Sequence, residues 1–180
     1  MNWLNEYELP ILWWIRENLT CPFLDTVMPY ISSLARHGEF WILLSLILLC
    51  FKKTRKAGVA MALAMVCGFL VGNIGLKNIV GRIRPYDMVE VDLLVKTLSD
   101  FSFPSGHTLV SIEAATALTV YHRKGGVAAL VLAVVIALSR LYLFVHYPTD
   151  VAAGVILGVG IALLCCRLTD WLWSRKKAKK

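Results

Sequence analysis

A chain of 180 residues that is 58% hydrophobic and only 17% charged, with a mean hydropathy of +0.65, is too apolar for an ordinary soluble domain. Its net charge of +7 comes from 19 Lys and Arg set against 12 Asp and Glu, but the bases are split among short segments instead of forming one face, which argues against a nucleic-acid partner. Five cysteines make no disulfide framework: Cys50, Cys67, Cys165 and Cys166 lie in apolar runs and Cys21 stands alone, so all read as small hydrophobes.

In chain order, the first segment carries Glu6, Glu8, Arg16 and Glu17 and lacks the basic start of a cleavable signal peptide. Trp3, Leu4, Tyr7, Ile11, Trp14 and Ile15 recur at helical spacing, and Leu24, Val27, Met28, Ile31 and Leu34 do so again. Such helices suit the membrane interface, or equally an amphipathic packing on a bundle. Apolar windows then follow at 39–51, 57–76, 105–121, 126–145 and 151–173, most of them near the ~20 residues that cross a bilayer core. The fold class expected is therefore all-α: one domain over 1–180, a polytopic membrane bundle of five to six transmembrane helices with an N-terminal interfacial helix.

Eleven of the bases fall in three places, Lys52, Lys53, Arg55 and Lys56, then Arg123 and Lys124, then Arg175, Lys176, Lys177, Lys179 and Lys180. With five crossings these share one side, and the positive-inside rule makes that side, with the C-terminus, cytoplasmic. The substantial connection on the opposite face is 78–104, where Asp87, Glu90, Asp92 and Asp100 offset local bases and which is long enough to cover a site as a lid.

Three polar clusters do not fit an oily bundle, and the five-span topology puts all three on the extracytoplasmic face. KNIVGRIRP sets Lys77 and Arg84 seven residues apart, two helical turns, with Pro85 ending the helix. PSGH opens the third span. A helix beginning at Pro104 offers the amides of Ser105, Gly106 and His107 and the Ser105 hydroxyl to an anion. SRLYLFVHYPTD brings Arg140, His146 and Asp150 to the exit of the fourth span. Lys77, Arg84 and Arg140 supply fixed positive charge, and an arginine fork suits phosphate oxygens. Pro148 starts a helix from which Asp150 reaches back to one nitrogen of His146, leaving the other free to attack. His107, on a different segment, suits a general acid and base. A zinc site on His107, His146 and Asp150 is possible by residue type, but three cations around it oppose a dication. Glu113 lies deeper in the third span, where a charge costs roughly 2.5–3.5 kcal/mol or more. It reads either as a pocket residue or as a carboxyl satisfied by a neighbouring helix. His37 and His122 lack such neighbours and read as surface or interface residues.

Taken jointly, Lys77 to Arg84-Pro85, Pro104-Ser105-Gly106-His107, and Ser139-Arg140 with His146 and Asp150 resemble the three-part signature of the type 2 phosphatidic acid phosphatase superfamily, over a core of about 57–173. The resemblance implies that Lys77, Arg84, Ser105, Gly106 and Arg140 hold phosphate and that His146 becomes a phosphohistidine. It further implies that His107 protonates the leaving lipid oxygen and that Asp150 orients His146. No cofactor or metal is implied, and the partners are the membrane and a lipid phosphate substrate. Small bacterial members suggest undecaprenyl diphosphate, with phosphatidylglycerophosphate or phosphatidic acid next, in the bacterial plasma membrane with the site outside. Rival readings are a phosphate-binding transporter, an intramembrane serine protease using Ser105, and a haloperoxidase. Oligomeric state is not encoded in these motifs.

Overall fold

The computed structural model describes residues 2–178. The side chains of Trp3, Lys176 and Lys177, and the whole of Lys179 and Lys180, lie outside the described residues. Among the described residues every regular element is helical. They are α1 (Asn2–Leu19), α2 (Pro22–Ser33), a 3-10 turn (Arg36–Gly38), α3 (Glu39–Cys50) and α4 (Arg55–Gly68), which runs through π-helical turns (Phe69–Leu76) into the short α5 (Lys77–Val80). After a second 3-10 turn (Pro85–Asp87) come α6 (Gly106–Tyr121), α7 (Arg123–Tyr142) and α8 (Pro148–Ala178).

Three stretches are long and apolar enough to cross a membrane: Arg55–Asp87, Arg123–Tyr142 and Pro148–Arg175. The pair Pro22–Ser33 and Arg36–Cys50, bent by 45°, makes a fourth if it acts as one broken span. The expected five to six crossings shrink to three or four by this measure because α3 has 12 residues and α6 has 16. Those lengths give ~18 and ~24 Å against a ~30 Å hydrocarbon core.

α6 is the central helix. It packs against α4, α7 and α8, and its Ala114, Ala115 and Ala117 are fully buried, facing a core that includes Ala60, Ala64 and Ala133. Small side chains let the backbones approach closely, the main source of cohesion where lipid removes the hydrophobic drive between helices. At Gly158 of α8 an added Cβ would lie 3.0 Å from Ile112 Cβ and 3.1 Å from the Leu109 carbonyl oxygen, so a larger residue would push α8 off α6. Trp41 of α3 is tied to this core by donating to Ser111 Oγ at 2.9 Å.

The two ends of the bundle differ. At one, Lys56 pairs with Asp170 at 2.6 Å, and the Tyr121 hydroxyl donates to Asp170 and to the Cys166 carbonyl. At the other, the loops after α5 and α7 and the starts of α6 and α8 converge. α1 docks on that second end: Leu12 is buried with Phe144 and Tyr147, while Tyr7, Ile11 and Trp14 stay exposed on its far side. Of the expected apolar stripe, Tyr7, Ile11 and Trp14 thus stay off the bundle, while Leu12, outside it, makes the buried contact.

Candidate active site

The local sequence makes the site by stopping helices in the right places. α5 ends because Gly81 takes a left-handed φ of +58°, and its N–H bonds back to the Lys77 carbonyl at 3.0 Å. The expected helix reaching to Pro85 is therefore corrected. Lys77 is on a helix, but Arg84 stands on extended backbone after the turn, and the two meet by chain reversal instead of by two helical turns. Ser105 is the N-cap of α6, which starts at Gly106. Its N–H is not free as expected, because it donates to the Asp150 carbonyl at 3.1 Å and so ties the start of α6 to the start of α8. The first-turn amides that follow have no acceptor within the helix.

Lys77 and Arg84 share one carboxylate. Lys77 Nζ pairs with Asp100, and Arg84 donates to Asp100 Oδ1 at 2.7 Å and to the Asp100 carbonyl at 2.8 Å. Burial alone would push the Asp100 carboxyl up, but the hydrogen bond from Lys77 and the charges of Arg84 and Lys77 outweigh it and hold it at about 2. Arg84 also donates to the Val145 carbonyl at 2.7 Å, and its Nη1 lies 3.3 Å from His146 Nε2. Burial, reinforced by Arg84, Arg140 and Lys77, holds the His146 imidazole well below its ordinary range, so it is neutral at neutral pH.

The other side of His146 faces Asp150. Nδ1 is 3.5 Å from Asp150 Oδ2 and 3.4 Å from Ser102 Oγ. Asp150 itself is fully buried and well supplied with donors: Ser102 Oγ at 2.5 Å and the Tyr147 N–H at 2.9 Å reach Oδ2, and Arg82 reaches Oδ1 at 2.6 Å. Arg82, 1% exposed, is the hub of this layer. It also bonds Thr149 at 2.7 Å, Asn5 at 2.9 Å and Glu8, and it stacks 3.9 Å over the Tyr147 ring. Glu8 in turn accepts the Thr149 N–H at 2.7 Å. These residues escape motif reading, although Arg82, the first arginine of GRIRP, and Glu8 in the first helix were both visible.

Lys77, Arg84, His107, Arg140 and His146 line one cavity of about 990 Å³, which also reaches Glu113. Arg140 is 3% exposed and holds Ser32 of α2. Ser105 is buried, its Oγ accepting a bond from Thr108 at 2.9 Å. Among the described residues three buried polar atoms lack a hydrogen-bond partner, Asn73 Oδ1, Glu113 Oε2 and Arg140 Nε, and all three residues line this cavity. Buried polar groups are nearly always satisfied, so such a cluster marks a place shaped for a polar ligand. His37 is exposed beside Glu39 at 3.6 Å.

A buried imidazole between a guanidinium and a carboxylate, with two more cations on the same cavity, suits covalent transfer of a phosphoryl group. The sequence model described as the PAP2 superfamily matches residues 53–174. The chain belongs to the PAP2 superfamily. An undecaprenyl-diphosphatase from Sulfolobus acidocaldarius is 33% identical over 81% of this chain and 70% of its own length. The bacitracin transport permease protein BcrC from Bacillus licheniformis is 34% identical over 75% and 68%. A solved transmembrane PAP2 type phosphatidylglycerolphosphate phosphatase from Bacillus subtilis superposes with a TM-score of 0.76 at 29% identity, covering 94% of this chain and 88% of that one. The resemblance read from the three motifs stands, and the chain is a PAP2 phosphatase, all-helical among the described residues and with helices long and apolar enough to cross a membrane.

Proposed function

We propose that this PAP2 phosphatase hydrolyses undecaprenyl diphosphate through a phosphohistidine on His146, without a metal, at the extracytoplasmic face of a bacterial plasma membrane. The observation that carries the reading is the shared cavity: Lys77, Arg84, Arg140, His107 and His146 line it together with apolar residues of α3 and α4 such as Ile42, Leu46 and Met65. Such a cleft can take a phosphate and its hydrocarbon tail at once. The undecaprenyl preference draws on the Sulfolobus acidocaldarius relative; phosphatidylglycerophosphate, the substrate named for the Bacillus subtilis structure, and phosphatidic acid come next.

In this scheme Lys77, Arg84 and Arg140 hold the terminal phosphate, aided by Ser105 and the first amides of α6 at Gly106. Arg84 only donates, so its approach to His146 Nε2 suits a nitrogen carrying a lone pair, with the proton on Nδ1 toward Asp150. Nε2 attacks phosphorus, the bond to the bridging oxygen breaks, and His107 passes a proton to the departing lipid phosphate. Water then yields its proton to His107 and attacks the phosphorus, breaking the bond to nitrogen and releasing phosphate. The cations take the role that bound dications play elsewhere.

The orientation rests on charge. Lys52, Lys53, Arg55 and Lys56 around the start of α4, Arg123 and Lys124 at the start of α7 and Arg175 toward the end of α8 lie at the end away from His146, which the positive-inside rule assigns to the cytoplasm. The name of the Bacillus licheniformis relative keeps a transporter as the second reading. Purified protein offered a panel of lipid phosphates and diphosphates in detergent separates the two. Released phosphate, highest in kcat/KM for the polyprenyl diphosphate, supports the enzyme scheme; lipid binding without any release overturns it.

A further inference from the structure

One carboxyl of the cavity has no part in that scheme. Glu113 stands on α6 six residues past His107, which is ~9 Å further along the helix. It is 1% exposed, Oε2 has no partner among the described residues, and the side chain lines the same cavity as the cationic cup. The facing helix is hollowed to admit it: a Cβ on Gly68 would sit 1.9 Å from Oε2 and 2.7 Å from Cδ. At that closest point the facing helix offers the carboxyl no side chain. The same cavity is also lined by the apolar side chains of Met65, Leu109 and Val110. A polar group kept in an apolar lining is costly unless something bonds to it.

We propose that Glu113 is a specificity-determining residue that hydrogen-bonds the ester-bearing backbone of a glycerolipid phosphate, so that the cleft accepts glycerolipids beside polyprenyl diphosphates. This rests on the cup holding the phosphate, as argued above. In a glycerolipid the first ester carbonyl lies about six bonds of ~1.5 Å from phosphorus, a reach on the order of 6–9 Å. That is of the same order as the rise along α6 from His107 to Glu113. A polyprenyl chain has only hydrocarbon there and leaves the carboxyl unpaired. A carboxylic acid O–H donates to an ester carbonyl, and a glutamine N–H can replace it.

The test compares kcat/KM for a short-chain phosphatidic acid and a short-chain polyprenyl diphosphate in one detergent, using wild type, Glu113→Leu and Glu113→Gln. Taking the ratio of the two substrates within each variant cancels any misfolded fraction. Losing one hydrogen bond should lower the glycerolipid-to-polyprenyl ratio of Glu113→Leu by about 3- to 10-fold, and Glu113→Gln should stay within about twofold of wild type. An unchanged ratio in Glu113→Leu, or an equal fall in both variants, overturns the assignment. Wild type that cleaves the polyprenyl diphosphate and no glycerolipid also overturns it while leaving the proposed function standing. Release from neither lipid overturns the proposed function itself.

Discussion

Arg82 is the residue whose removal should be felt most. It is buried against two carboxylates, Asp150 at 0% and Glu8 at 5% exposure, and it also holds Asn5 and Thr149. Replacing it by methionine keeps most of the volume and the contact with Tyr147 but leaves both acids without their cation. Breaking a buried pair from one side costs about 3–5 kcal/mol. For a chain of this size that corresponds to a fall in Tm of roughly 6–20 °C. Thermal unfolding of the purified protein in detergent should show this loss for Arg82→Met, and Glu8→Gln in the same background should recover part of it, because one orphaned charge is then gone. Arg82→Lys should rescue poorly, since an ammonium cannot serve four partners from a planar fork. Turnover should fall at least about tenfold, since Asp150 no longer has a fixed position beside His146. A variant melting within about 2 °C of wild type with unchanged kcat would refute the claim that this buried pair braces the site.

The remaining predictions concern the cup and its titration. An imidazole held below its ordinary range stays neutral on acidification, so the acid limb of kcat/KM, which reports the free enzyme, should lie well under pH ~6.5; half-loss at or above that value would contradict the assignment. The same shift has a stability counterpart. Unfolded His146 takes up a proton below pH ~6.5 while the folded one does not, so its contribution is complete above that pH and is lost as pH falls toward the folded value. Asp100 competes with phosphate for Lys77 and Arg84, so Asp100→Asn should lower the Ki of inorganic phosphate by about two- to fivefold; a higher Ki would mean that the carboxylate organises the cup instead. Hydrolysis should continue in excess chelator, because fixed cations serve the phosphate; a strict magnesium requirement would contradict this.

What the sequence could reveal follows from the range over which its patterns act. The spacing of His146, Pro148 and Asp150 is local and depends only on a helix beginning at Pro148, which is where α8 begins. The apolar length of α7 is legible for the same reason, whereas α6 starts at Gly106, two residues past the expected Pro104, with Ser105 as its cap. By contrast, Glu8 and Arg82 meet across 74 positions, and nothing in either segment names the other. Asp100 was one of four acids in a long connection, and only the folded loop singles it out as the partner of both Lys77 and Arg84. Pro85 looked like the helix stop, yet Gly81 acts first by adopting a conformation that side chains with a Cβ resist. For Glu113, two readings fitted the sequence equally. Gly68 opposite is a neighbour that the sequence could not show, since contacts between helices across a bundle do not appear in one-dimensional spacing.

Whether His146 carries the phosphoryl group can be read by rapid quenching of the purified protein with a polyprenyl diphosphate labelled in its terminal phosphate. An acid-labile, base-stable label should appear on wild type, map to the peptide containing His146 and be absent from His146→Ala. Label of the same stability trapped on His146→Ala, or hydrolysis at wild-type rate by that variant, would contradict it.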